Sequence, residues 1–478
     1  MARNDTQVYQ NPLVTRNASP AMCRLFSPQV RIETWRRLWL ALAEAQRQQG
    51  LPISDKQLRL LRRTLGDIDF AAAARYEKQF RHDVMAHLHA WGDAAPEARG
   101  ILHLGATSCY VGDNADLILM RDGLGLIRDW LVNVIDALGR FATRHRSVPT
   151  LGFTHYQPAQ LTTVGKRATL WAWSFVQDLD EITHRIGEMK FRGLKGTTGT
   201  QESYLKLFDG DGRKVDRLEA LVARKMGFDA VEPVTGQTAS RKTDAAVVAA
   251  LAQVAASVHK VCNDLRLLAN LKEIEEPFER TQVGSTAMAY KRNPMRCERA
   301  TGLARWVLSL LSSPFQTAAE QWLERTLDDS SNKRLSVPEA FLATDGMLRI
   351  MTNVCRGLVV YPRVIRARVM AELPFMATEE ILMAAVRRGG DRQALHERIR
   401  VHAQAAAAEV KQHGRPNDLI DRLRSDDAFA GVEFKAIVDP RRFVGRAPEQ
   451  TARFVREHIT PLRRKHRRAL GLDAELNV

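Results

Sequence analysis

Apolar residues recur along this chain at spacings of three and four. Trp35, Leu38, Trp39 and Leu42 fall at i, i+3, i+4 and i+7, which stacks them on one face of a helix. Residues 237–276 contain neither glycine nor proline and are mostly Ala, Val, Leu and charged side chains. At 1.5 Å per residue that run predicts a helix on the order of 50 Å long. Segments 166–186 and 315–337 predict similar uninterrupted helices, the second carrying the polar cluster Asp328-Asp329-Ser330-Ser331-Asn332. Period-two alternation of β-branched residues is scarce. Long helices bury their apolar stripes best against one another, so the pattern predicts an all-α fold with a central long-helix bundle.

Turn residues divide the chain into three parts. A first helical region, 1–107, ends where Gly105-Ala106-Thr107-Ser108 breaks the pattern. The long-helix bundle spans 108–360. Tyr361-Pro362 then opens a third region, 361–478, whose shorter helices are broken at Gly389-Gly390, Gly414-Arg415-Pro416 and Pro440.

Composition adds limits rather than a function. At 45% hydrophobic and 26% charged residues the chain reads as a soluble globular protein. The opening stretch from Met1 to Pro12 is polar, so no secretory signal is predicted. The most apolar stretch, 245–258, is too short to predict a membrane span. Five cysteines, odd in number and without Cys-x-x-Cys spacing, suit reduced thiols in a cytoplasmic protein and give no support to zinc. The net charge of +16 suggests anionic partners. The basic residues are spread along the chain, and their one dense run, Arg463-Arg464-Lys465-His466-Arg467-Arg468, accompanies no nucleic-acid-binding signature. Nucleic acid is therefore not expected as a partner; small anionic substrates are.

The candidate chemistry lies in polar clusters far apart in sequence. Arg81-His82-Asp83 is followed by His87, and Asp83 and His87 share a helix face at i, i+4. No second carboxylate–histidine pair supports a metal, so no metal site is expected. One imidazole there suits hydrogen bonding or proton transfer, and the others suit surface or core positions. Thr107 and Ser108 offer two hydroxyls to a carboxylate. Thr154 and His155 sit between Gly152 and Pro158, in a turn expected to precede a helix. Arg325, Ser330 and Arg334 could clamp a phosphate, because guanidinium forks match its oxygens bidentately. The segment from Gly284 through Ser285 to Lys291, Asn293 and Glu298 reads as a loop between helices, whose small residues let backbone N–H groups face an anion. Gly193, Gly196 and Gly199 lack dinucleotide-binding spacing, and no phosphate-loop motif is completed, so no nucleotide cofactor is expected. A hydroxyl, a histidine, a lysine and several arginines together suit proton transfer on a polyanionic substrate.

The loop sequence Gly284-Ser285-Thr286-Ala287-Met288-Ala289-Tyr290-Lys291-Arg292-Asn293-Pro294 resembles the signature loop of the fumarase/aspartase superfamily of lyases. Its continuation through Met295-Arg296 to Glu298-Arg299 is most similar to the branch acting on succinylated purine nucleotides. Segments 104–113, 150–155, 195–201 and 324–330 match as well, so the resemblance spans nearly the whole chain. It implies a three-domain fold with a central long-helix bundle and a homotetramer whose active sites are each built by three subunits. It implies β-elimination of fumarate from adenylosuccinate, leaving AMP, and from the succinyl-carboxamide ribotide of purine synthesis, with no cofactor.

On that resemblance Ser285 is the general base and His155 the general acid, oriented by Glu298. Lys291 supports the alkoxide and the carbanion, and His82 joins the catalytic set. Thr107, Ser108, Thr154, Lys291 and Asn293 hold the succinyl carboxylates. Arg16, with Asn17 beside it, Arg325, Ser330 and Arg334 take the phosphate, while Arg81, His82, Asp83, Gln237 and Arg299 take the rest of the nucleotide. Three positions depart from the usual pattern: Thr286 replaces a serine, Ala289 a proline, and Asn17 a tyrosine. Two alternatives remain: the same elimination with another leaving group, and a non-catalytic basic binding protein reusing the fold.

Overall fold

The computed structural model describes residues 7–476, so the first six residues of the polar opening stretch lie outside the described residues. Helices begin where the local chemistry directs. Ser27 accepts a hydrogen bond from the Val30 amide with Pro28 in the first turn, and Ser54 and Gln57 form a reciprocal capping box. The centre is a bundle of Ser108–Arg144, Val164–Glu188, Lys242–Asn270, Met295–Leu310 and Asp328–Gly357. Their apolar faces merge with those of the N-terminal helices into one continuous core. A separate small core, including Ile381, Leu382, Leu395, Leu419 and Phe429, forms within the third region.

Two helical expectations need correction. The 237–276 run is helical only over Lys242–Asn270, and just past its end Lys272 turns at φ 58°. This helix is long and apolar enough to cross a membrane by length and composition, which the 245–258 stretch alone did not suggest. Most of its apolar window is buried against neighbouring helices, as befits the centre of a bundle. The 315–337 segment is not one helix. It breaks between Ser312–Ala319 and Asp328–Gly357, leaving Arg325 on the connecting segment. The acidic pair Asp328-Asp329 marks a helix start, where negative charge meets the positive end of the helix dipole.

The fold also contains strands that the pattern did not predict. β1 (Pro149–Thr154) and β2 (Gln157–Thr163) form an antiparallel hairpin, and β3 (Ile274–Glu275) pairs with β4 (Val359–Val360). The turn holding His155 therefore closes a hairpin instead of leading directly into a helix; the Val164 helix begins only after β2. His155 and Tyr156 both have positive φ, 52° and 57°, the geometry of a type I′ turn. Such turns favour Asn-Gly, so a His-Tyr pair leaves no signal to read.

Candidate active site

A cavity of about 340 Å3 opens at one end of the bundle. Arg81, His82, Asp83, Ser108, Arg325, Ser330 and Arg334 all line it, though they come from separate parts of the chain. Long-helix N-termini converge there. Asp83 and Ser108 open their helices, Arg241 is the N-cap of the Lys242 helix, and Ser330 lies in the first turn of the Asp328 helix. The positive ends of these dipoles and their free N–H groups favour an anion.

Local geometry presents each group. Arg81 sits in the left-handed region at φ 56°, at the break between Phe70–Phe80 and Asp83–Ala94. His82 caps the second helix, its Nδ1 accepting from the Met85 amide at 3.4 Å. Thr107 occupies the N-cap of the Ser108 helix without spending its hydroxyl on capping. Gln237 borders the site: its amide donates to the Glu324 carbonyl at 3.0 Å and its Nε2 to Thr197 at 3.2 Å. Arg334 pairs with Asp83 at 3.0 Å. His87 is buried edge-on against Trp35 and Phe70, and burial, then the nearby Arg36 charge, lower it to about 4. It is a core residue.

Beneath the cavity is an ionic cluster that sequence reasoning missed. Arg241 donates from Nε to Asp329 at 2.6 Å and from Nη2 to Asp113 at 3.0 Å. Lys333 reaches Asp116 at 2.6 Å and Asp113 at 3.4 Å. Burial alone would raise the Asp113 carboxyl, but Arg241, Lys333 and Arg192 outweigh it and hold it well below the usual range. Asp113 and Asp329 both lie in segments with recognisable motifs. Nothing local, however, announces a bond between residues 128 or 88 positions apart.

Most of the remaining expected residues lie toward the other end of the bundle, while Asn17 packs against Gly346 partway along the Asp328 helix. Gly357, at the end of the Asp328–Gly357 helix, is packed against Pro277, where the signature-loop segment begins. Ser330 and the base of that loop are thus about 40 Å apart at 1.5 Å per helical residue. In the loop the Met288 amide donates to Ser285 Oγ at 3.2 Å, a contact that stabilises negative charge on that oxygen. Asn293 Nδ2 braces the loop by donating to the Gly284 carbonyl at 2.7 Å. Lys291 is exposed. Arg299 is half-buried, and its pKa is lowered by burial and then by the like charges of Arg16 and Arg296, so Arg16 belongs with this group. Asn17 turns back to the Pro12 carbonyl at 2.9 Å.

Thr154 and His155 occupy the exposed hairpin tip. Within the chain, and among the described residues, no hydrogen bond or ion pair joins His155 to Glu298. Glu298 instead faces Arg266 at 4.0 Å. The expected pairing is absent from a single chain. The expected site residues therefore form three groups: the arginine-lined cavity, the hairpin tip and the signature loop.

Known proteins resemble this chain over most of its length. Residues 76–309 match a family described as "Lyase", and residues 374–454 match "Adenylosuccinate lyase C-terminus". The chain is 53% identical to adenylosuccinate lyase of Schizosaccharomyces pombe over 95% of both chains. It is 43% identical to that of Schistosoma mansoni, covering 99% of this chain and 100% of the other. The fold resembles that of a fumarate lyase from Mesorhizobium, with TM-score 0.77 at 24% identity over 94% of this chain and 100% of the other. It also resembles 3-carboxy-cis,cis-muconate lactonizing enzyme from Pseudomonas putida, with TM-score 0.79 at 22% identity over 96% and 100%. Across nearly its entire length, then, this chain belongs to the adenylosuccinate lyase family of the fumarase/aspartase superfamily.

Proposed function

We propose that the protein eliminates fumarate from adenylosuccinate, releasing AMP, and from the corresponding succinyl-carboxamide ribotide. The observation carrying this reading is the arginine-lined cavity at converging helix N-termini, which suits a phosphate-bearing substrate among the many that this fold serves. Ser285, as its alkoxide, takes the proton from the succinyl carbon and becomes the neutral hydroxyl, and the electron pair delocalises into the adjacent carboxylate. Lys291 and the loop N–H groups stabilise that charge. The C–N bond then breaks, and His155 delivers a proton to the departing nitrogen. Thr107, Ser108, Thr154 and Asn293 position the carboxylates. The proton transfers and charge stabilisation are all within reach of side chains, so the reading calls for no cofactor and no metal.

The 40 Å separation of the groups supports a homotetramer in which each site draws them from three subunits. One small nucleotide cannot touch the arginine-lined cavity and the signature loop of the same chain across that distance when the helices between them are rigid. Exposed Trp306, Phe315, Trp322 and Leu323 supply apolar surface for such an assembly. The phosphate arginines disfavour a different leaving group lacking a phosphate, and the retained acid–base set disfavours a non-catalytic protein.

The test is to follow fumarate and AMP from adenylosuccinate; a folded protein with no turnover would end the reading. Shared sites have their own test. Ser285→Ala and Arg325→Ala variants, each strongly impaired alone at low substrate, should regain activity when their subunits are mixed, with about a quarter of sites receiving both intact groups. No recovery after verified subunit exchange would place the whole site within one subunit.

A further inference from the structure

The phosphate-binding groups do not hold themselves in place. Arg325 stands on a segment between two helices, and Ser330 lies in the first turn of the next. Behind them is Arg241, whose side chain is 3% exposed. Its guanidinium joins Asp113, in the second turn of the Ser108 helix, to Asp329, in the first turn of the Asp328 helix, from its own place at the N-cap of a third. The Ala239 amide completes the Asp113 carboxylate at 2.7 Å.

We propose that Arg241 is a positioning residue for phosphate recognition, acting through Asp329 on Arg325 and Ser330. The inference rests on the nucleotide lyase reading of the cavity.

Partner geometry explains how. Asp329 is completely buried and next to Arg325. Arg241 occupies Asp329 Oδ2 at 2.6 Å, whereas Arg325 reaches the same carboxylate only from Nη1, at 3.4 Å to each oxygen. Arg241 thus carries most of the neutralisation. The rest of the Arg325 guanidinium is left to face a ligand, and a fork with two free N–H groups is what a phosphate needs. Without the Arg241 charge, Asp329 would draw Arg325 into a full ion pair and present an uncompensated carboxylate to a dianion. Both effects weaken phosphate binding. Neither acts on the elimination step at the opposite end of the substrate.

Arg241→Lys keeps the charge but cannot serve two carboxylates from a planar fork. We expect the KM for adenylosuccinate to rise about tenfold with kcat within about threefold, because the loss falls on ground-state and transition-state binding alike. Thermal stabilisation by inorganic phosphate should weaken in parallel. Turnover of the dephosphorylated nucleoside analogue should stay within about twofold of the parent's, since it makes no phosphate contact. Arg241→Met should show a larger phosphate defect, and adding Asp329→Asn should restore most of it by removing the uncompensated carboxylate.

Three results would overturn the proposal: unchanged phosphate stabilisation in Arg241→Lys, equal loss on nucleotide and nucleoside, or additive defects in the Met/Asn double variant. Phosphate stabilisation is read without turnover. If the parent protein releases no fumarate, it is the lyase reading that falls, while the binding comparison still decides the role of Arg241.

Discussion

A single methyl group at position 284 should disable the signature loop. A Cβ built on Gly284 would lie 2.1 Å from the Lys291 carbonyl oxygen and 3.2 Å from the Arg292 Cα. Both are backbone atoms, so relief requires the Lys291 side of the loop to withdraw by about 1 Å. A misplacement of that size costs roughly 10²-fold in rate when the displaced group contacts the reacting atoms, or about 2.7 kcal/mol of barrier. Lys291 and Ser285 lie on the two arms of this turn, and the Asn293 bond to the Gly284 carbonyl locks them together. Stability should change little. The loop is largely exposed, and replacing glycine restricts the unfolded chain by about 0.4–1 kcal/mol, which offsets some of the strain. The assay is steady-state fumarate release by Gly284→Ala beside a thermal melt of the same sample. Activity within threefold of the parent would show that this turn does not set the reacting geometry.

Other consequences can be measured separately. His155→Ala should lower kcat by about 10²–10⁴-fold with an unchanged melt and an unchanged mass by light scattering, because the residue is exposed at a hairpin tip and, among the described residues, makes no hydrogen bond or ion pair. Asp178 is buried with one unpartnered oxygen, and burial, softened by a bond from Ser257, raises it to about 7. A carboxyl raised above its unfolded value of about 4 binds its proton more tightly in the folded state, so its penalty is complete above pH 7 and fades as pH falls toward 4. Asp178→Asn should therefore raise the melting temperature at pH 8 and make little difference near pH 4; equal effects at both would refute this. Two glycines on the Ser108 helix form a further pair. Gly123→Ala would press a methyl to 2.8 Å from the Phe341 ring and should destabilise by about 1–3 kcal/mol, whereas Gly125→Ala meets nothing and should stabilise by about 0.5–1 kcal/mol in denaturant melts.

Much of the bundle was legible because helices announce themselves locally. A period of three and four and an absence of glycine and proline both lie within a few residues of what they specify. The hairpin escaped because its turn residues, His155 and Tyr156, enter the left-handed region without a glycine. The break before Asp328 escaped because residues 320–327 contain no glycine or proline to mark it.

The sequence by itself determined the family and proposed the reacting groups, since a string such as Gly284 to Pro294 carries its chemistry in consecutive residues. Only the tertiary structure decided where those groups stand. It placed Arg325 and Ser285 at opposite ends of one helix bundle, turned His87 into the core, and joined Arg241 to Asp113 and Asp329 across long stretches of chain. The physical reason is range. Periodicity and turn chemistry act over a few residues, whereas ion pairs, burial and the span of a rigid helix depend on which distant segments pack together.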